Sequence, residues 1–101
     1  MKLRVVAAAE REALKAAFWY NKQRSGLGDD FLLEVDECVI GVANDPQQHT
    51  PVEMGRSRRE VRCSLVKRFP YAVYFEVLPA EIVVLAVAHT SRRPFYWRSR
   101  K

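Results

Sequence analysis

Apolar positions along the chain follow two different spacings, separated by a polar stretch at residues 47–57. Before that stretch the steps are of three and four residues. Leu14, Ala17 and Phe18, with Ala13, Ala16 and Tyr20 alongside, mark one face of a helix over Glu10–Gln23, a run without Gly or Pro. Ser25-Gly26-Leu27-Gly28 stops it, since glycine tolerates the left-handed geometry of a helix C-cap. Phe31, Val35, Cys38, Val39 and Val42 repeat the spacing over Asp29–Asn44, where acidic residues suit the positive end of the helix dipole and Asp45-Pro46 closes the run. So short a connection makes the pair an antiparallel hairpin. Gln47–Ser57, with Pro51 and Gly55, reads as a surface loop. Beyond it Glu60–Val66, Tyr71–Leu78 and Ile82–His89 are rich in Val, Ile, Tyr and Phe, as strands prefer, and Leu3–Ala7 reads as a short first strand.

These elements predict an α+β fold in the order β-α-α-β-β-β, filling residues 1–101 as one domain. A helical hairpin is expected on one face of a mainly antiparallel sheet of about four strands. Ile82–Ala88 is apolar at every position, which marks a central strand covered on both faces. Phe18, Phe31, Val35, Val39, Val84 and Ala86 are expected between the layers. The tail Thr90–Lys101 is basic and aromatic without a clear period.

Charge sharpens this picture. The net charge of +5 is unevenly spread: residues 1–55 hold 6 Lys+Arg and 9 Asp+Glu, a balance of −3, whereas residues 56–101 hold 11 and 3, a balance of +8. The asymmetry suggests that the C-terminal half faces something anionic, either nucleic acid or an acidic protein; the alternative is a plain solvated surface. Cys38 and Cys63 lack metal or disulfide spacing and read as small buried apolar residues, and His49 and His89 form no metal motif. No metal or other cofactor is expected. The N-terminal apolar run is too short for a signal peptide, and no segment reaches the ~20 apolar residues of a membrane span, so the expected location is the cytoplasm, away from membranes.

Several segments, in order, carry a resemblance. They are Ala16-Ala17-Phe18-Trp19-Tyr20, Gly26-Leu27-Gly28-Asp29-Asp30-Phe31, Asn44-Asp45-Pro46, Arg68-Phe69-Pro70-Tyr71 with the strand after it, and Ala88-His89-Thr90-Ser91-Arg92-Arg93-Pro94 followed by Tyr96-Trp97. Together they span nearly the whole chain, which resembles the RelE/ParE superfamily, the toxins of bacterial type II toxin–antitoxin systems. The resemblance implies a toxin that arrests growth and is neutralised by a cognate acidic antitoxin, held with it in a hetero-oligomer. The Gly-Leu-Gly turn is no phosphate loop, lacking the Lys-Ser/Thr and preceding strand of one. Trp19 and Tyr20 read as packing within the hairpin.

The resemblance implies two possible targets. ParE-like members bind DNA gyrase and hold its cleaved complex, with no chemistry of their own. RelE-like members cut messenger RNA on the ribosome without metal, which requires a base, an acid and cations near the scissile phosphate. For that nuclease the candidates here are His89 as acid or base, Arg62, Arg68 and Arg92 as phosphate-binding cations, and Tyr96 for stacking or proton donation. Arg58, Arg59, Arg62, Arg92, Arg93 and Trp97 are the candidates for contact with antitoxin or target. RelE-like sites also use lysines from the central strands, and Lys67 is the only one in that region here. That departure tilts the reading toward the gyrase-binding mode. A basic nucleic-acid-binding module unconnected with toxicity is a third reading, although the chain has no RNP, KH or helix-turn-helix signature.

Overall fold

The computed structural model describes residues 1–101. Strand β1 (Lys2–Val5) leads into helix α1 (Ala7–Gln23), a turn, and helix α2 (Leu27–Asn44). A short 3-10 turn, Pro46–Gln48, precedes strands β2 (Thr50–Pro51), β3 (Val61–Leu65), β4 (Tyr71–Val77) and β5 (Glu81–His89). The sheet runs β1-β5-β4-β3-β2; β1 is parallel to β5 and every other pair is antiparallel. The β-α-α-β-β-β order and the α+β class hold. The sheet has five strands because Thr50–Pro51, expected in a loop, adds two residues to the edge against Arg62 and Cys63. A proline is tolerated on an edge, where its missing N–H leaves no partner unsatisfied.

Both helices cover one face of the sheet. The layer between them holds Ala9, Ala13, Ala16 and Ala17 of α1, Phe31, Val35 and Val42 of α2, and Val73, Phe75, Ile82, Val84 and Val87 of the strands. Alanine on the inner face of α1 lets the helices approach closely. At Gly28 the approach is tightest: a β-carbon there would meet the Ala17 carbonyl oxygen at 2.0 Å and Asn21 Cγ at 2.7 Å. The Gly28 N–H also donates to Asn21 Oδ1 at 2.7 Å. Gly28→Ala should therefore cost about 1–3 kcal/mol by forcing the helices apart. Gly41→Ala, in a helix interior with open space around the added carbon, should be neutral or stabilising by up to about 1 kcal/mol. Denaturant unfolding of the two variants side by side checks both; equal effects would contradict this packing.

Two expected core positions fall elsewhere. Phe18 is 64% exposed. The face that packs is Ala9, Ala13, Ala16, Ala17 and Tyr20, one residue round from Leu14 and Phe18, and Lys22 sits over the Phe18 ring at 4.6 Å. Ala86 is fully buried, but on the other side of the sheet. The reason is an irregularity in pairing: Tyr74 faces Ala86 while Phe75 faces Val84, leaving Leu85 as an extra residue. Ile82 and Val84 point to the helices, Leu85 and Ala86 both point away, and Val87 returns. A bulge of this kind breaks the strict alternation of a strand.

The face away from the helices is covered by the chain's own irregular segments. Met54 of the β2–β3 connection and Trp97 of the tail pack with Val61, Val83, Leu85, Ala86 and Ala88. The expectation that β5 is covered on both faces holds, with every residue from Ile82 to Ala88 buried. No helix is long and apolar enough to cross a membrane.

Candidate functional site

The bulge sets the position of His89. By returning Val87 to the helix side, it brings the end of β5 beside α1, and a cleft of about 620 Å³ opens there. Glu12, Lys15 and Trp19 line it from α1, Tyr71 and His89 from the strands, and Arg92 from the tail. Tyr71 pairs with His89 in the sheet, and their rings meet edge to face with centroids 5.2 Å apart. His89 Nδ1 accepts the Ser91 N–H at 3.0 Å, so the neutral ring carries its proton on Nε2. Trp19, expected to pack, is 57% exposed at this cleft, while Tyr20 packs against Phe31 and Phe69.

Glu12 is the centre of the site, and its role is not visible in the sequence. Its Oε2 accepts the Tyr96 hydroxyl, and its Oε1 accepts Arg100 Nη1 at 2.8 Å and the Val87 backbone N–H at 3.1 Å. Arg92 lies 3.9 Å from the same carboxylate and stacks over the Tyr96 ring at 3.8 Å. Burial, then the bond to Glu12, pushes the Tyr96 hydroxyl well above its ordinary value. A phenol held in this way keeps its proton and points it at a carboxylate, which removes it as a ready acid for a leaving group.

The five residues proposed for a nuclease fall into separate places. His89 and Arg92 line the cleft, and Tyr96 lies beside it, bonded to Glu12 and under the Arg92 guanidinium. Arg62 lies on β3, where it donates to Glu60 at 3.0 Å, to Gln47 Oε1 at 2.9 Å and to the His49 carbonyl at 2.7 Å. Arg68 occupies the β3–β4 turn at φ 71° and reaches α2, 3.7 Å from Asp30 and 3.5 Å from Glu34. Shared strand parity for Arg62 and Arg68 fails because the strand ends at Leu65, so Arg68 belongs to the turn.

The residues expected at a partner surface also divide. Arg58, Arg92 and Arg93 are exposed. Arg59 instead donates to both Glu76 oxygens, at 3.2 and 2.9 Å, and to the Arg98 and Arg100 carbonyls at 2.6 and 3.0 Å, clamping the tail to the sheet. Trp97 is 2% exposed and stacked on Tyr74 with centroids 5.2 Å apart, so it is a core residue. Both cysteines are half-buried; Cys38 Sγ lies 3.3 Å from Ser64 Oγ, and burial raises both thiols above their ordinary range.

The cleft therefore combines exposed aromatic surface with Lys15 and Arg92, around a carboxylate already saturated with donors. That arrangement suits an anionic group joined to a flat or apolar one. Most of the chain has relatives among known proteins. Residues 3–94 match the model of a family described as ParE toxin of type II toxin-antitoxin system, parDE. Among solved structures the chain is similar to one titled as a chromosomal ParDE toxin–antitoxin system from P. aeruginosa. The TM-score is 0.70 at 18% identity, over 88% of this chain and 95% of that one. A search of curated proteins gave no significant match.

Proposed function

The chain belongs to the ParE toxin family of type II toxin–antitoxin systems, and from that membership we propose that it arrests growth by binding DNA gyrase and stabilising the cleaved gyrase–DNA complex, without chemistry of its own. It is the toxin component of such a system, and the family implies an antitoxin partner. One observation supports the gyrase reading: the five residues a messenger nuclease would need do not all converge. Arg62 and Arg68 are engaged by carboxylates away from the cleft, and Tyr96 donates its proton to Glu12. The action takes place in the cytoplasm, where gyrase works.

The antitoxin is an acidic chain whose C-terminal segment folds on the toxin, forming a hetero-oligomer. Arg58 and Arg93 steer its approach, being exposed and without a carboxylate partner, so association should slow as salt rises.

Purified toxin, freed of antitoxin, is assayed on gyrase with supercoiled DNA and separately on translating ribosomes. The expected result is accumulation of cleaved gyrase–DNA complexes, intact messenger, and activity within about 3-fold of wild type for His89→Ala, the effect of a lost contact rather than of a lost proton carrier. Messenger cleavage that falls by roughly 10²–10³-fold in His89→Ala would overturn the reading in favour of the RelE-like nuclease.

A further inference from the structure

Across the sheet from the helices, the tail presents a surface that the cleft does not use. Phe95 stands there at φ 64° and is 39% exposed. A β-carbon disfavours left-handed backbone, and an aromatic residue held in it without being buried is unusual. Its neighbours are Trp97, tilted at 5.8 Å, and the Arg98 guanidinium, 5.5 Å from the ring centre.

One cation stands at the ring, and others follow from the chain around it. Arg59 holds the 56–60 loop against the tail through the Arg98 and Arg100 carbonyls, and Arg4 donates to the Lys101 carbonyl at 3.3 Å. Arg98 lies at the ring, Arg93 is two residues before Phe95 in the chain, and Arg58 adjoins the residue that clamps the tail; these and Lys101 are all exposed and none is paired with a carboxylate. The nearby acids are mostly occupied: Glu76 by Arg59, Glu81 by Arg4 and Glu60 by Arg62. Glu53, in the connection before Arg56, is the exception.

The kind of partner follows from what surrounds the ring. A protein-binding hot spot needs an apolar core inside a polar rim. The other large exposed apolar side chains lie on the helices or on and beside β1 and β3, leaving Phe95 as the one on the tail. A lone aromatic among guanidiniums is instead the combination that reads unpaired bases, by stacking on a face while cations meet the flanking phosphates. We propose that this surface binds single-stranded nucleic acid, Phe95 stacking on one unpaired base and Arg58, Arg93 and Arg98 holding the adjacent phosphates. The proposal stands apart from the gyrase reading: failure to trap cleaved gyrase complexes would leave it intact.

The test is fluorescence anisotropy of the full-length protein, free of antitoxin, with labelled oligo-dT, oligo-U and duplex DNA of about 15 nucleotides, a length that covers the site of a small single-strand binder. One or both single strands should bind more tightly than duplex, with affinity falling as salt rises. Phe95→Ala should weaken binding about 10-fold and Phe95→Trp should restore it. Phe95→Gly, which suits the backbone at this position, serves if the alanine variant folds poorly. The joint change Arg93→Gln and Arg98→Gln should lower the slope of log affinity against log salt by about 1 to 2. The DNA and RNA arms identify which sugar is preferred. Absence of binding at low salt, indifference to Phe95, equal affinity for duplex, or tighter binding of polyglutamate through the same residues would each overturn the proposal.

Discussion

Phe31→Ala should lower the stability of the antitoxin-free protein by about 3–5 kcal/mol, the range for emptying a buried aromatic site. Phe31 is fully buried at the start of α2 and meets three rings, with centroids 5.3 Å from Tyr20, 5.2 Å from Phe69 and 4.9 Å from Tyr71. These partners come from α1, the β3–β4 turn and β4, so the cavity would sit where three elements converge and none can collapse alone. Edge-to-face contacts add to the area term. A domain of this size is stable by about 5–15 kcal/mol, so a fifth or more of the margin goes. Denaturant unfolding measures it, without antitoxin because a bound partner would add apparent stability. Phe31→Leu, which refills most of the volume, should recover more than half of the loss. A loss below about 1 kcal/mol for the alanine variant, well under the usual range, would mean that these rings do not form a packed junction.

Phe31 was legible because two independent signals meet on it: the three- and four-residue spacing of α2 and its place one turn after the glycine stop. Where the sequence offers a single signal, the packing departs from it for identifiable reasons. Phe18 fits a helical stripe, but alanines one step round the helix give the closer approach that Gly28 demands, and hydrophobicity alone favours the larger side chain. Ala86 follows from alternation, which holds until one extra residue at Leu85 shifts the phase. Nothing in an all-apolar strand announces a bulge. Trp97 and Arg59 look like surface chemistry in the basic C-terminal half, yet one fills the back of the sheet and the other holds the tail down. Their partners, Tyr74 and Glu76, lie more than fifteen residues away along the chain. Side chains that complete a core from an irregular segment have no period to reveal them. His89, which lines the cleft, closes an apolar strand and so stands out in the sequence; Glu12, on a helix rich in charge, does not.

Glu12→Ala should destabilise the protein by about 3 kcal/mol and release the tail. Strand β1 pairs with β5 only from Glu81 to Val84, after which the chain turns into α1. The Val6 N–H takes the Val84 carbonyl at 3.0 Å, and beyond it β5 has no strand on that side. Side chains take over: Arg100 donates to the Leu85 carbonyl at 3.0 Å and Glu12 accepts the Val87 N–H at 3.1 Å, the two joined as an ion pair. Alanine at 12 would strand a guanidinium, a phenol and a backbone N–H together. Breaking one side of a buried pair costs about 3–5 kcal/mol. The lower end applies because Arg100 and Glu12 keep 20% and 16% of their side chains exposed. Glu12→Gln, which keeps one acceptor, should lose less. Trp97 reports release directly: of the two tryptophans only it is buried, so its emission should shift to the red while Trp19 stays as it is. Tyr96 adds a pH signature. Its folded-state pKa lies above the ordinary value of 10.0, so its contribution is complete below pH 10 and is lost as pH rises toward the folded value. Tyr20, Tyr71 and Tyr74 are shifted the same way, so the comparison is between wild type and Tyr96→Phe, which should lose less stability above pH 10. Unchanged Trp97 emission and wild-type unfolding in Glu12→Ala would show that the sheet edge is held by backbone alone.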